Sequence, residues 1–352
     1  MKNLPVITIV GSGMMGSALA FPAAENGHEV RLVGSPLDDE IIDACIATNR
    51  HPKFDTDFPV GVKYYKVGDW QKAVEGCDFV IGGVSSFGVD WFGDEILANL
   101  DPAIPVLSVT KGLINLEDGT LISYPDYWRK NLLAKGIDRY VNAIGGPCTS
   151  YELVFHDQTE VAFCGVNSAE LKMMKEAMTT SYYHISLTND VIGLESAVAL
   201  KNAYALAVAM TIGLVNRHHG DDAGLHYNSQ AGAFYQAVRE MTKLMDIQKG
   251  SQEALHIGIG DLYVTVYGGR TRKIGILLGE GKTYEEALDI LAGVTLESLV
   301  VARRVANAIY RKAELGEVSL ADFPMMCHSK DVLDNGKDAE LPWESFTFDH
   351  TK

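Results

Sequence analysis

The stretch PVITIVGSGMMGSALAFPAAENG (residues 5–27) decides the fold class of this 352-residue chain. A short β-branched run leads directly into GSGMMG (11–16), and a segment of helical composition follows. In such a strand-turn-helix the first glycine permits a tight turn, the second lets the backbone approach a pyrophosphate, and the third allows close packing of helix on strand. The helix N-terminus attracts the phosphates. The stretch therefore predicts a dinucleotide-binding βαβ unit, and a glycine-rich turn without a ligand is the alternative.

Further β-branched runs alternate with helical patterns through the first half of the chain. They lie at 29–34, 62–67, 78–84, 105–110 and 139–145. Apolar strands separated by helices are typical of a doubly wound parallel sheet. Past about residue 190 the strand signals fade and Ala, Leu, Met and Glu recur with helical period. We predict an α/β protein with a Rossmann domain over 1–189, an all-helical domain over 190–335 and an irregular tail over 336–352.

Composition narrows the classes of partner. The formal net charge of −16 opposes binding to nucleic acid or to an anionic membrane surface. The five cysteines are scattered, with no C-x-x-C pair, which favours a reducing compartment. The N-terminal apolar run is shorter than the core of a signal peptide. We therefore expect a cytoplasmic globular protein in which an anionic small ligand needs a local basic pocket.

The run IGLESAVALKNAYALAVAMTIGLV (192–215) is almost continuously apolar and carries Lys201 near its middle. Because Glu195, Lys201 and Asn202 interrupt it, a buried core helix fits better than a membrane span. Helical spacing places four apolar residues on the face of the lysine, namely Ala197, Val198, Tyr204 and Ala205. Burial disfavours the ammonium and lowers a lysine pKa towards the range of proton exchange with an alcohol or carbonyl oxygen. A structural lysine that extends to solvent is the alternative.

Two short segments place polar groups where parallel strands end. SVTKGL (108–113) brings Lys111 to the carboxyl end of a strand, the edge at which open α/β sheets bind ligands. IGGPCTSYE (144–152) contains a Gly-Gly-Pro turn that can hold its backbone near a cofactor or a substrate. Taken singly, a surface lysine and an ordinary turn explain these residues equally well.

The segment GIGDLYVTVYGGRTRKIG (258–275) combines acidic and basic groups. If its first part is helical, Asp261 and Thr265 share one face, although the alternation in DLYVTVY also suits a strand. The cations that follow, Arg270, Arg272 and Lys273, form a candidate anion site in which an arginine grips a phosphate through two parallel hydrogen bonds. A solvated basic face is the alternative.

Together these motifs resemble the NAD(P)-dependent glycerol-3-phosphate dehydrogenase family over nearly the whole chain, to about residue 335. The matching segments occur in the family's order: GSGMMG (11–16), NRHPKF (49–54), TKGL (110–113), GGP (145–147), DVIGLESAVALKNAYAL (190–206), GIGDLYVTVYGGRTRKIG (258–275) and FPM (323–325). The resemblance implies hydride transfer between NAD or NADP and C2 of a three-carbon polyol phosphate, which interconverts sn-glycerol 3-phosphate and dihydroxyacetone phosphate. It also favours a helix for the DLYVTVY segment.

The resemblance implies roles for individual residues. Lys201 matches the proton donor and acceptor at the substrate oxygen, Lys111 the second lysine beside it, and Thr265 a nearby hydroxyl, while Asp261 orients the reacting groups. The implied substrate-binding set is Lys111, Asn202, Gly146, Arg270 and Thr271, of which Thr271 replaces the usual asparagine. The implied cofactor-binding set is Gly11, Ser12, Gly13, Met14, Met15, Gly16, Ser35, Lys111, Ser150, Arg270 and Glu297.

The sequence leaves the choice between NAD and NADP open. An acid at the end of the second strand usually binds the ribose 2′-hydroxyl of NAD. Here Gly34 and Ser35 occupy that place, and Asp38 and Asp39 come slightly late. No arginine stands ready for a 2′-phosphate, and Ser35 suits either cofactor.

The segment NRHHGDDAGLHYNSQAG (216–232) departs from the family pattern. It carries three histidines and two aspartates, namely His218, His219, His226, Asp221 and Asp222. Their spacing fits no zinc template well, so we predict no metal. One alternative function is the same reaction on a longer polyol phosphate whose extra hydroxyls bind here. Another is a non-catalytic dinucleotide sensor that uses this segment for a protein partner. The apolar helical domain favours a homodimer.

Overall fold

The computed structural model describes residues 4–220, 224, 226–294, 296–349 and 351. The chain divides into two compact units, the first comprising Met1–Lys111 with Tyr124–Val191 and the second Gly112–Ser123 with Ile192–Lys352. The sequence places the boundary near residue 190, but it assigns 112–123 to the wrong domain. The predicted tail (336–352) falls within the second unit.

Ten strands are present among the described residues. They are β1 Val6–Val10, β2 Glu29–Val33, β3 Val62–Tyr65, β4 Phe79–Gly82, β5 Val106–Ser108, β6 Leu113–Asn115, β7 Leu121–Ser123, β8 Asn142–Gly145, β9 Thr159–Cys164 and β10 Tyr183–Thr188. Eight of them form one sheet in the order β10-β9-β8-β5-β4-β1-β2-β3, and β6 and β7 form a hairpin.

The helices of the first unit are α1 Met14–Glu25, α2 Asp39–Thr48, α3 Trp70–Val74, α4 Val89–Trp91, α5 Tyr124–Ala134, α6 Ser150–Val154 and α7 Ser168–Met178. Those of the second are α8 Val191–His219, α9 Tyr227–Gln248, α10 Gln252–Tyr267, α11 Gly269–Gly279, α12 Tyr284–Ile290, α13 Glu297–Glu314 and α14 Pro324–Asn335. A π-helical segment, Phe92–Leu97, continues α4.

The sheet confirms the predicted α/β fold. The six predicted strands are β1 to β5 and β8, and every neighbouring pair among them is parallel. The sheet is nevertheless mixed, because β9 runs antiparallel to β8. The described residues of 190–335 form helices and no strand, as predicted. The second unit additionally contains the hairpin β6–β7 from the first half of the chain.

Helix α8 is the centre of the second unit. By length and composition it could cross a membrane, but 94% of its most apolar window is buried inside the protein. A helix that is apolar on all sides is the usual core helix of a large helical domain. The position agrees with the predicted core helix.

Glycines let neighbouring helices approach α8 closely. A Cβ at Gly258 of α10 would lie 2.6 Å from the Ala197 Cβ, and one at Gly279 of α11 would lie 2.2 Å from the Met210 carbonyl oxygen. Side chains larger than hydrogen would force these helices apart. The close contact between α8 and α10 therefore depends on a glycine at 258.

The hairpin β6–β7 and the tail both pack on helices of the second unit. Arg304 of α13 donates to the Leu113 carbonyl at 3.0 Å, and Gln248 of α9 donates to the Leu121 carbonyl at 2.8 Å. In the tail, Leu341 is buried, and the Phe346 carbonyl accepts from Arg239 at 2.8 Å. The described part of the tail thus lies along the surface of the helical unit.

Candidate active site

A buried lysine cluster lies between α8 and α10. The Lys201 ammonium donates to Asp261 Oδ1 at 2.6 Å and to Thr265 Oγ1 at 2.7 Å. The Thr265 hydroxyl in turn donates to the Asp261 carbonyl at 2.8 Å. Lys201 is 8% exposed and Asp261 is 2% exposed. The structure therefore brings together three of the side chains that the sequence assigns to catalysis.

The two helices hold this cluster by their close packing. Lys201 lies one turn beyond Ala197 on α8, and Asp261 lies one turn beyond Gly258 on α10. The contact between Ala197 and Gly258 therefore places the lysine and the aspartate opposite each other. Asn202 follows on α8 and is half-buried.

The contact with Asp261 offsets the effect of burial on the Lys201 ammonium. Burial alone disfavours an ammonium, but a carboxylate in direct contact stabilises it. Because Thr265 donates its only hydroxyl proton to a backbone carbonyl, its lone pair must accept from Lys201. Two of the three ammonium protons are thus held in fixed directions.

The three cations of the predicted anion site have different surroundings. Arg270 is the second residue of α11, is half exposed, and lies 3.7 Å from Glu297 at the start of α13. Arg272 instead donates to the Val266 carbonyl, and Lys273 is exposed. Thr271 is buried. Since the first turn of α11 carries no acid, its positive end and Arg270 suit an anion.

The glycine-rich loop of the first unit has the shape that a dinucleotide requires. Gly11 has φ +108°, and a Cβ at Gly16 would lie 2.0 Å from the Gly11 carbonyl oxygen. A Cβ at Gly13 would meet nothing within 4 Å, so this face of the loop is open. The first turn of α1, which begins at Met14, contains no acid. The loop therefore fits an anionic pyrophosphate at the N-terminus of α1.

The other predicted cofactor residues of the loop are placed around it. The Ser12 side chain is fully buried, and Met14 and Met15 pack against the core of the first unit. The Ser12 N–H donates to Asp38 Oδ2 at 3.1 Å, and the Ser35 N–H donates to the same oxygen at 2.9 Å. An acid that the sequence places late thus reaches the loop.

The lysine and the Gly-Gly-Pro turn at the sheet edge meet each other. The Lys111 ammonium donates to the Gly146 carbonyl at 3.0 Å. Gly146 has φ +130°, which only glycine adopts readily. Ser150 is the first residue of α6, and the Thr149 hydroxyl caps that helix by accepting from the Glu152 N–H.

The described part of the segment 216–232 is mostly helical. Residues 216–219 end α8 and 227–232 begin α9, while Asp221 and Asp222 lie outside the described residues. The His219 and His226 rings are 4.8 Å apart. Within the described part of the chain, no group of three His, Cys, Asp or Glu side chains could hold a metal ion.

Sequence reasoning missed two residues at the glycine-rich loop. A Cβ at Gly83 would lie 2.7 Å from the Gly11 carbonyl oxygen, and the glycine pair that ends β4 was the available signal. His51 is buried with its ring 4.6 Å from that of Phe54. Burial lowers the pKa of His51, and the neighbouring Ser12 backbone opposes this shift. Both residues lie against the glycine-rich loop.

Comparison with known families covers almost the whole chain. The profile for the NAD-dependent glycerol-3-phosphate dehydrogenase N-terminus matches residues 6–171, and that for its C-terminus matches residues 190–343. An NADP(+)-dependent glycerol-3-phosphate dehydrogenase of Archaeoglobus fulgidus is 33% identical over 81% of this chain and 83% of the relative. A glycerol-3-phosphate dehydrogenase [NAD(P)+] of Acidobacterium capsulatum is 29% identical over 88% of this chain and 89% of the relative.

Solved structures share the fold. Glycerol-3-phosphate dehydrogenase of Coxiella burnetii superimposes with a TM-score of 0.78 at 24% identity, covering 97% of this chain and 98% of that one. The Plasmodium falciparum enzyme gives a TM-score of 0.82 at 19% identity, covering 100% and 98%. With both halves of the chain matched in sequence, this protein belongs to the NAD-dependent glycerol-3-phosphate dehydrogenase family.

Proposed function

We propose that this chain interconverts sn-glycerol 3-phosphate and dihydroxyacetone phosphate, with Lys201 exchanging the proton at the C2 oxygen. The observation that carries the assignment is the buried Lys201–Asp261–Thr265 cluster in a chain of this family. Relatives are named for NADP(+) and for NAD(P)+, and NAD or NADP is the cofactor here. When bound, the nicotinamide supplies the hydride to C2 or accepts it from C2.

In the direction of reduction, the carbonyl electron pair moves onto the substrate oxygen as C2 gains hydride. Lys201 then gives a proton to that oxygen. A donor already in place when the charge develops costs no reorganisation. Asp261 and Thr265 fix two ammonium protons, and we assign the third to the substrate oxygen. In oxidation the Lys201 amine takes the hydroxyl proton while hydride leaves C2.

Arg270 is the proposed anchor for the substrate phosphate. It stands at the N-terminal end of α11, where backbone N–H groups and the helix dipole also favour an anion. Its contact with Glu297 is long, at 3.7 Å, so a phosphate dianion can compete for the guanidinium. The other proposed substrate contacts are Thr271, Asn202 and Gly146.

The remaining role assignments rest on matched motifs. Lys111 is the proposed second lysine at the substrate oxygen. The proposed cofactor contacts are Gly11, Ser12, Gly13, Met14, Met15, Gly16, Ser35, Lys111, Ser150, Arg270 and Glu297. A cytoplasmic homodimer is also part of the proposal, and sedimentation velocity of the purified protein checks the dimer.

A substrate panel tests the function. NADH and NADPH oxidation is followed with dihydroxyacetone phosphate, with four- and five-carbon ketose phosphates and with unphosphorylated dihydroxyacetone. We expect the highest kcat/KM for dihydroxyacetone phosphate. A clear preference for a longer ketose phosphate would replace the substrate, and no turnover of any ketose phosphate would overturn the function.

A matched pair of variants tests the phosphate anchor. Arg270→Gln should raise KM for dihydroxyacetone phosphate by at least tenfold, because a charge-assisted contact is lost. Lys273→Gln removes an exposed charge from the same helix and should leave KM within about twofold, as a solvated charge contributes little. Equal effects of the two substitutions would contradict the assignment.

A further inference from the structure

The Asp38 carboxylate is folded back by a turn after β2. In the sequence Ser35-Pro36-Leu37-Asp38, the Asp38 N–H donates to the Ser35 carbonyl at 3.0 Å. Proline at the second position of such a turn has its φ already set. The turn therefore returns Asp38 to the end of β2, although it comes late along the chain.

The folded-back carboxylate joins the glycine-rich loop to the segment that follows β2. Asp38 Oδ2 accepts from the Ser12 N–H at 3.1 Å and from the Ser35 N–H at 2.9 Å. Ser12 belongs to the glycine-rich loop, and Ser35 follows β2. In Rossmann domains this is the place where an acid binds the ribose 2′-hydroxyl. Among the described residues only Oδ2 has a hydrogen-bond donor, which leaves Oδ1 as an acceptor for a hydroxyl.

The surroundings of Asp38 oppose a 2′-phosphate. Asp39 and Glu40 follow it and are exposed in the first turn of α2, and residues 34–40 contain no lysine or arginine. A phosphate here would place negative charge against carboxylates, with no arginine fork of the kind that usually accommodates it. Lys53 is the cation whose charge acts on His51 behind the loop, so it is the residue to test as a competing phosphate partner.

We propose that Asp38 selects NAD(H) over NADP(H), by accepting from the ribose 2′-hydroxyl and repelling a 2′-phosphate. This inference rests on the proposed function for the presence of a dinucleotide. It concerns binding, so it can be tested without turnover. The glycine-rich loop and the Ser35 N–H position the carboxylate for both effects.

Calorimetric titration of the whole protein with NADH and with NADPH tests the inference. We expect NADH to bind at least tenfold more tightly than NADPH. Asp38→Asn keeps an acceptor oxygen for the two N–H groups but removes the charge, and should reduce the discrimination at least fivefold, mainly through tighter NADPH binding. Asp39→Asn removes a neighbouring exposed charge whose carboxylate accepts from neither of those N–H groups. As the matched control, it should reduce the discrimination less than Asp38→Asn does.

The possible outcomes distinguish a failure of this inference from a failure of the proposed function. NADPH binding as tight as NADH, or tighter, overturns the selection by Asp38 while the dehydrogenase function stands. Loss of NADPH binding in Lys53→Ala, with Asp38→Asn unchanged from the parent, overturns it in favour of a phosphate site at Lys53. Binding of neither dinucleotide overturns the proposed function itself. Circular dichroism of each variant checks that the fold is retained.

Discussion

At the scale of single residues, the role proposed for Lys201 depends on its neighbours. The apolar surroundings visible in the sequence predict a buried lysine, but only the fold shows Asp261 Oδ1 at 2.6 Å and the hydroxyl that orients the ammonium. Helical periodicity places Asp261 and Thr265 on one face because that relation is local. It cannot say which distant residue the face meets.

Neutralising Asp261 should slow proton transfer without weakening cofactor binding. In Asp261→Asn the amide no longer stabilises the ammonium electrostatically, and we expect kcat for dihydroxyacetone phosphate reduction to fall about 10- to 100-fold, within the range of general acid-base effects. The dissociation constant of NADH should stay within about twofold. An unchanged kcat would remove Asp261 from the proton-transfer apparatus.

Asp38 is a residue whose position in the fold cannot be predicted from spacing along the chain alone. The sequence rule expects an acid directly at the end of the second strand, and this chain has Ser35 there. The turn that carries Asp38 back is a three-dimensional feature of four residues. Spacing along the sequence therefore does not decide between NAD and NADP.

A second buried carboxyl, Glu240 of α9, should make stability depend on pH. It accepts from the Met325 and Met326 N–H groups at 2.7 and 3.1 Å and so caps α14. Burial raises the pKa of its carboxyl from 4.5 to about 7. Because the folded state then keeps a proton that the unfolded state has lost, the free energy of unfolding should fall by roughly 3 kcal/mol between about pH 4.5 and 7, and change no further above that.

Urea denaturation at several pH values, with Glu240→Gln beside the parent protein, measures this effect. The substitution removes the titrating group, so the parent should lose more stability than the variant as the pH rises through this window. Parallel pH profiles for the two proteins would show that Glu240 does not titrate as described.

At the scale of secondary-structure elements, α10 shows tertiary context overriding local pattern. DLYVTVY alternates as a strand would, yet it is helical, with Ala254, Leu255, Gly258, Asp261, Leu262 and Val266 buried at helical spacing. The local pattern leaves helix and strand open, and the family resemblance favours the helix that the structure contains. By contrast, β9 and β10 are not among the predicted strands, although each has six residues. Polar residues at Glu160, His184 and Ser186 interrupt their apolar runs.

Gly258 should be the most sensitive glycine in the contact between α8 and α10. A methyl group there would lie 2.6 Å from the Ala197 Cβ, so Gly258→Ala should lower the free energy of unfolding by about 2 kcal/mol through overpacking. It should also reduce kcat, since Lys201 and Asp261 lie one turn further along. Adding Ala197→Gly should restore part of both losses. Additive losses in the double variant would contradict this packing.

At the scale of the whole molecule, the two units are not two consecutive halves of the chain. The hairpin β6–β7 leaves the first unit, joins the helical one and returns. Its strands are only three residues long, and periodicity carries no information on which core they join. The two-part architecture itself was predictable because strand and helix patterns separate near residue 190.

Two glycines in left-handed conformation test this path. Gly119 in the hairpin has φ +82° and Gly136 has φ +78°, so alanine pays a similar backbone penalty of roughly 1 kcal/mol at each. Only at Gly119 would the Cβ also approach α13, lying 3.0 Å from the Ala308 carbonyl oxygen. Thermal unfolding should therefore show a larger loss for Gly119→Ala. Equal losses would place the hairpin away from α13.

The central claim, that Lys201 exchanges the proton in a glycerol-3-phosphate dehydrogenase, is tested most directly by kcat for dihydroxyacetone phosphate reduction in Lys201→Ala. We predict a loss on the order of 10³-fold, as expected for removal of a general acid, with NADH binding and the circular dichroism spectrum unchanged. A folded variant that keeps kcat within threefold of the parent would contradict the claim.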